Sequence, residues 1–255
     1  MSEAENNAVT LPIVPLKGKV FFPHILMPLS VGRPTSVAAV EAAASTEERE
    51  IVVFAQRDPS VEVPGQQDLY TIGTKAIIKK ILRPGEEFME LIAQGMERVV
   101  LIKMEKTEPF LEARVRRLPL PEDKGTEVEA LHLAVLDLAG KAMSLLGRQA
   151  KLEILPLLSG TEDPLQLVYL AASILSLEIQ KEQDLLEAET VVDALRLLHT
   201  YLTHEVQVLE LRNKIASHAV SEMSNEKRED LLRQSRLQQR SLHSIPTMPR
   251  AKIPP

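Results

Sequence analysis

The chain has 255 residues, 44% of them apolar and 26% charged, with a net charge of −6, a balance that fits a soluble globular protein and excludes a disordered one. It contains no cysteine, which excludes disulfides, thiolate metal sites and cysteine nucleophiles together. No window reaches the ~18 consecutive apolar residues of a membrane span, and the opening MSEAENNAVT carries two acids and no base, unlike a secretory signal.

Residues 1–10 read as a disordered N-terminus, and a β-rich lobe is expected over 11–118. Within it, Pro34 to Ala44 reads as a helix, with proline at the first turn where a missing N–H costs nothing. Ile51-Val52-Val53-Phe54-Ala55 is a β-branched run of the kind buried in a sheet. Ala76–Leu82 and Phe88–Ala93 flank Arg83-Pro84-Gly85-Glu86, which suits a type II turn and predicts a hairpin. Arg98–Met104 reads as a further strand, and Leu111–Arg116 alternates in polarity like a strand with one wet face. The Leu-Pro-Leu-Pro run at 118–121 continues neither element, so 119–122 is taken as a linker.

Helical arithmetic then takes over. Val128, Leu131, Val135, Leu138, Ala142 and Leu145 step along one face, and Gly147 follows as a stop. Asp163-Pro164 is a cap and first-turn proline before Leu167, Leu170, Ile174 and Leu177. No proline or glycine occurs between Leu165 and Ile245, and an apolar series runs from Val191 through Leu202, Val206 and Leu209 to Ala216, Val220 and Met223. This predicts one helix from about Glu189 to about Gln234, with a helical bundle over 123–224. Ser224–Asp230 is polar on every side, so 225–255 is expected to be a projecting helix end followed by a disordered basic tail.

Charge divides the chain in the same places. Residues 1–118 hold 15 Lys and Arg against 16 Asp and Glu, a net of −1. Residues 119–211 hold 6 against 16, a net of −10, and residues 212–255 hold 9 against 4, a net of +5.

The run Leu11-Pro12-Ile13-Val14-Pro15-Leu16-Lys17-Gly18-Lys19-Val20-Phe21-Phe22-Pro23, continuing through Pro28-Leu29-Ser30-Val31-Gly32-Arg33, resembles the opening of the Lon protease amino-terminal domain. Gly73-Thr74-Lys75-Ala76, Gly95-Met96-Glu97-Arg98 and Gln183-Asp184-Leu185-Leu186-Glu187 follow in the family's order, as does the long helix with Glu210, Ile215, Met223 and Arg228. The resemblance covers residue 10 to about 234. It implies an α+β fold: a PUA-like twisted β lobe, a pseudo-barrel with one helix, followed by a helical bundle ending in a long helix. It also implies a non-catalytic region of an ATP-dependent serine endopeptidase family, one that recognises unfolded or tagged polypeptides and helps assemble an oligomer in the cytoplasm. Expected partners are unfolded or misfolded polypeptides, Lon-type subunits, or a second copy through the long helix; neither nucleic acid nor membrane is expected. After Gln234 the family pattern breaks into an acid-free, proline-bearing tail, read either as a truncated or frameshifted product or as a stand-alone protein.

Nothing in the residues argues for an enzyme. No G-x-x-x-x-G-K-[ST] occurs, so no phosphate-cradling loop is encoded. The acid pairs Glu47/Glu48, Glu86/Glu87 and Glu162/Asp163 lie at element edges, where carboxylates stay solvated. His199 and His204 are five apart and miss a chelating face, and His24 has no acidic neighbour. No catalytic residue, cofactor or metal ligand is therefore expected. Phe21 to Leu29 places many apolar residues in a stretch that nearby prolines are expected to keep irregular. Phe21, Leu26 and Leu29 are assigned to the core, while Phe22, Met27 and Met96 are the candidates for polypeptide contact. Two other readings compete: an independent adaptor or structural protein on the same fold, and a PUA-like RNA-binding module using Lys75, Lys79, Lys80, Arg83, Arg114, Arg116 and Arg117.

Overall fold

The computed structural model describes residues 8–83, 88–147, 152–175 and 177–242, with side chains up to residue 217. Six strands form the β lobe: β1 (Ala8–Leu16), β2 (Leu26–Val31), β3 (Glu50–Ala55), β4 (Ile72–Leu82), β5 (Met89–Lys106) and β6 (Glu112–Leu118). Helix α1 (Pro34–Ala44) carries the chain across from β2 to β3, which lies parallel to β1. The strand order is β2-β5-β4-β3-β1-β6, and β6 pairs again with β5. The ring therefore closes through five strands, with β2 attached outside it to the first half of β5.

The β-branched run at 51–55 is buried on both faces, as expected of a strand without a wet side. Ile51 and Val53 join α1 residues Ala39, Val40 and Ala43 in one cluster, whereas Val52 and Phe54 meet Val99, Leu101, Ala113 and Val115 inside the ring. The β4–β5 hairpin is present, pairing Leu82 with Glu90; the expected turn residues Pro84–Glu86 lie outside the described residues.

Three expectations change here. Ala8–Thr10, expected to lie in a disordered N-terminus, open β1 and pair with Arg114–Arg116 of β6. The strands expected at 88–93 and 98–104 are one strand, β5, because a register shift around Met96 bends it without ending it. The stretch expected to be irregular holds β2, with Pro28 inside it. A strand at the edge of a sheet tolerates proline because it has a neighbour on one side only.

The helical part contains α2 (Thr126–Leu146), α3 (Leu155–Ser159), α4 (Pro164–Leu175), α5 (Ile179–Glu187) and α6 (Val191–Leu242). Gly147 follows α2 at φ +124°, a conformation costly for a side-chain-bearing residue. Asp163 caps α4, its Oδ1 accepting the Leu165 N–H at 2.9 Å. Just after the linker, Asp123 caps α6, accepting the Val191 N–H at 2.7 Å and the Val192 N–H at 3.2 Å. Those two backbone donors hold the Asp123 carboxyl below its ordinary pKa.

The chain clusters into two compact units, Met1–Val206 and Gln207–Pro255. Within the first, Val20, Phe22, Ile25 and Tyr70 of the β lobe share one core with Leu167, Tyr169, Leu185, Leu195 and Leu198 of the helices. On α6, Leu202 and Val206 are buried, Leu209 is half-buried, and every side chain from Leu211 to Ser217 is exposed. Of the apolar face expected to run to Met223, Val220 and Met223 lie outside the described side chains. Backbone helix continues past Gln234 to Leu242, since Ser235–Leu242 contains neither proline nor glycine.

Candidate functional site

The sequence motifs assemble a seam between strands and helices rather than a catalytic centre. Phe22 is fully buried and stacks on Tyr169, ring centroids 5.1 Å apart and planes 22° from parallel. The Glu182 carboxylate accepts the Val20 N–H at 2.9 Å, and burial raises its pKa above the ordinary carboxylate value. Gln183 donates to the Ile72 carbonyl at 2.9 Å. Arg98 donates to the carbonyls of Leu186 and Ala188 at 2.9 and 2.8 Å, and to that of Pro119 at 2.6 Å. One guanidinium thereby collects the end of α5, the approach to α6 and the linker, a task that suits a rigid fork of donors. Burial lowers the pKa of this guanidinium from its ordinary value.

Both glycine motifs allow close packing, Gly95 against the 20–25 segment and Gly73 against β3. A Cβ on Gly95 would stand 2.1 Å from the Phe22 carbonyl oxygen, and one on Gly73 would stand 2.4 Å from the Phe54 ring. Thr74 Oγ1 donates to the Phe21 carbonyl. Gly95 lets the 20–25 segment lie against β5 at a backbone distance that no side chain would permit, and Thr74 ties that segment to β4, while Gly73 leaves room for Phe54 of β3.

That close packing decides the fate of the residues proposed for polypeptide contact. Phe21 and Phe22 point in opposite directions and both find cover, Phe21 in the α1 cluster and Phe22 in the helical core. Phe22 is therefore removed as a surface contact. Met27 is half-buried between the two clusters. Met96 is 38% exposed at the register shift of β5, and Leu26, assigned above to the core, is 60% exposed. The period-2 rule explains the exchange once β2 is a strand: Met27, Leu29 and Val31 turn inward, and Leu26, Pro28 and Ser30 turn out.

The outward positions form rows across three strands. Leu26, Gln94 and Ile77 are in register, as are Pro28, Ile92 and Lys80. Leu26, Pro28, Ile92 and Met96 make an apolar face with Lys79 and Lys80 exposed at its rim. Such a face can take up apolar side chains and offers no group for covalent or proton-transfer chemistry.

Three of the seven residues proposed as an RNA-binding patch are engaged in ion pairs. Lys75 lies 3.1 Å from Glu50 and 3.0 Å from Glu97, Arg83 lies 2.7 Å from Glu41, and Arg117 lies 2.6 Å from Glu97. Burial pulls the Lys75 pKa down, but the two carboxylates outweigh it and the net shift is upward. Glu47, Glu48 and Glu162 are exposed, and Glu86/Glu87 lie outside the described residues. Among the described residues, no three His, Asp or Glu side chains are placed to hold a metal ion, and no helix is long and apolar enough to cross a membrane.

Comparison with known proteins places these features. Residues 10–204 match the family model of the ATP-dependent protease La (LON) substrate-binding domain. A Lon protease of Nitrosococcus oceani is 49% identical over 230 residues, which is 90% of this chain and 29% of that protein. One from Desulfovibrio desulfuricans is 34% identical over 226 residues, 88% of this chain and 26% of that protein. The chain thus spans less than a third of the length of these relatives. In three dimensions it resembles the N-terminal domain of a Mycobacterium avium complex Lon protease, with a TM-score of 0.61 at 21% identity over 76% of this chain and 98% of that one. A Lon N-terminal domain protein from Xanthomonas campestris gives 0.53 at 17% identity, with the same coverage of both chains.

Proposed function

Because the chain belongs to the Lon substrate-binding domain family, we propose that it is a non-catalytic recognition module that binds unfolded or misfolded polypeptides for a Lon-type ATP-dependent protease of the cytoplasm. The observation that carries this reading is the apolar outer face of β2 and β5, with Leu26 60% and Met96 38% exposed on a lobe whose own core is closed. An exposed apolar face on a closed fold supports a partner role. Lys79 and Lys80 at its rim suit segments that carry acidic residues among apolar ones.

Binding by one copy is weak, with Kd above about 1 µM, because avidity from several linked copies is missing. The test is fluorescence anisotropy with a labelled, reduced and carboxymethylated protein against the same protein in its native fold. The unfolded form binds and the native form does not; equal binding, or none, contradicts the proposal. ATP hydrolysis or peptide cleavage copurifying with the chain through several columns contradicts its non-catalytic character.

Assembly with further subunits has its own support. On α6, Val208, Leu211 and Ile215 are exposed at 38%, 59% and 61% and step 3 then 4 along one face. Sedimentation velocity over a range of concentrations tests self-association, and Leu211→Glu with Ile215→Glu abolishes it if this face carries it.

A further inference from the structure

Strand β5 has β6 along one side for its whole second half, but β4 accompanies its other side only to the pairing of Ile72 with Val100. Past the hydrogen bond from Leu101 N–H to the Thr71 carbonyl, 2.8 Å, no strand lies on that side among the described residues. A side chain takes the place of one. The Gln66 carboxamide accepts the Met104 N–H at 3.0 Å and donates to the Ile102 carbonyl at 3.4 Å. A primary amide is the nearest side-chain analogue of a peptide group. It meets an acceptor and a donor two residues apart, which is how a residue of a parallel neighbouring strand meets its partner.

Gln66 is held there by its backbone. It opens a single 3₁₀ turn, Gln66–Asp68, stapled by the Asp68 carboxylate accepting the Gly65 N–H at 2.8 Å. Grooves lie on both sides of the carboxamide. One of about 440 Å³ follows Met104 to Glu108, and one of about 560 Å³ lies beside Arg57, Leu69 and Thr71.

We propose that the edge of β5 from Ile102 to Lys106 is a strand-addition site for an extended polypeptide, whose peptide groups displace the Gln66 carboxamide. The inference rests on the polypeptide-binding reading above and adds a second place of contact to the outer face of β2 and β5. The side chains along the edge fit a guest selected by its main chain. Ile102 is 45% exposed, and the charges alternate in sign, with Lys103 3.7 Å from Glu105 and Lys106 2.6 Å from Glu112. Balanced charge neither attracts nor rejects a guest of one sign, so main-chain hydrogen bonds set the affinity. A binder of unfolded chains needs this tolerance of sequence. The same charges discourage two copies from pairing edge to edge.

The test uses the full chain and two versions of a short peptide of alternating Thr and Val capped with lysines. One version is N-methylated at every second Thr and every second Val, so that neither edge keeps a continuous row of N–H groups while the side chains are unchanged. The unmethylated peptide binds and protects the Met104 amide from exchange; methylation weakens binding at least about tenfold. Gln66→Ala, which removes the competing carboxamide, tightens it about three- to tenfold. Equal binding of the two peptides, or unfolded protein binding while neither peptide does, overturns strand addition and leaves the polypeptide-binding reading standing. No binding of peptide or unfolded protein overturns both. Protection of Ile102–Lys106 that grows with protein concentration and without peptide makes a second copy the occupant, and overturns the proposal.

Discussion

The two faces of β5 differ in a way that separates holding the fold from meeting a partner. On the inner side, Arg98 and Gly95 are buried against the helices and the 20–25 segment, and every interaction is directional and short. On the outer side, three residues or fewer away, Gln94 and Met96 look outward beside Leu26, with apolar area and no fixed hydrogen-bond partner for it to serve. The motifs that carry the family resemblance, Gly73-Thr74-Lys75-Ala76, Gly95-Met96-Glu97-Arg98 and Gln183–Glu187, are mainly seam residues. Family membership is written in the frame, and the contact surface is written around it in residues that geometry constrains far less.

Substitutions in the seam are the sharpest way to break this comparison. Phe22→Ala costs about 3–5 kcal/mol through lost burial and the cavity left against Tyr169. Arg98→Met leaves three carbonyls short of a donor, at about 1–3 kcal/mol each where buried. Either lowers the melting temperature by about 8–15 °C for a unit of this size. Calorimetry checks this, and a drop under ~3 °C would remove the seam from its central place.

Amide exchange along α6 gives the next effect. Protection is expected to Val206, and exchange about 100-fold faster from Leu211 onward, because burial ends between them. Uniform protection to Ser217 at high dilution would mean that another source of stability acts on the exposed stretch.

A smaller effect comes from Glu182. Burial raises its pKa above the unfolded value, so the native chain holds this proton to a higher pH than the unfolded chain does. Stability from this group is therefore greatest below the ordinary carboxylate pKa of ~4.3 and is lost as pH rises through the native value. Glu182→Gln keeps an acceptor for the Val20 N–H and removes the buried charge, which Lys19 offsets in part. It should raise the melting temperature by about 2–4 °C at pH 7.5 and leave it unchanged at pH 4. A loss at pH 7.5 would show that the carboxylate is worth more charged than its burial suggests.

The sequence disclosed the architecture unevenly, for physical reasons. Helices announced themselves through apolar spacing and punctuation, as at Asp163-Pro164 and Gly147. The buried run at 51–55 was legible because both faces of β3 are covered. Strand β2 was hidden by Pro28, which ordinarily argues against a strand and is accommodated here only because β2 lies at an edge. Without β2 its alternation cannot be read, which is why the sequence points Leu26 inward and leaves Phe22 to the surface. The signal is only partial in Leu26-Met27-Pro28-Leu29-Ser30-Val31: the odd-numbered Met27, Leu29 and Val31 are apolar and inward, but the outward Leu26 and Pro28 are apolar too. The single strand β5 was likewise hidden because Gly95 and Met96 resemble a turn, while their effect is a bend. The Gln66 contact with β5 joins residues 36 and 38 positions apart and has no periodic signature at all.

The separation of frame from surface is tested most directly by one double variant, Leu26→Asp with Met96→Asp, measured for both melting temperature and affinity for a carboxymethylated unfolded protein. Both side chains are exposed, so the melting temperature should move by no more than about 2 °C, while the affinity falls at least about tenfold, or ~1.4 kcal/mol. Unchanged affinity in a variant that melts where the parent does would contradict the account, because the outer face of β2 and β5 would then be surface and nothing more.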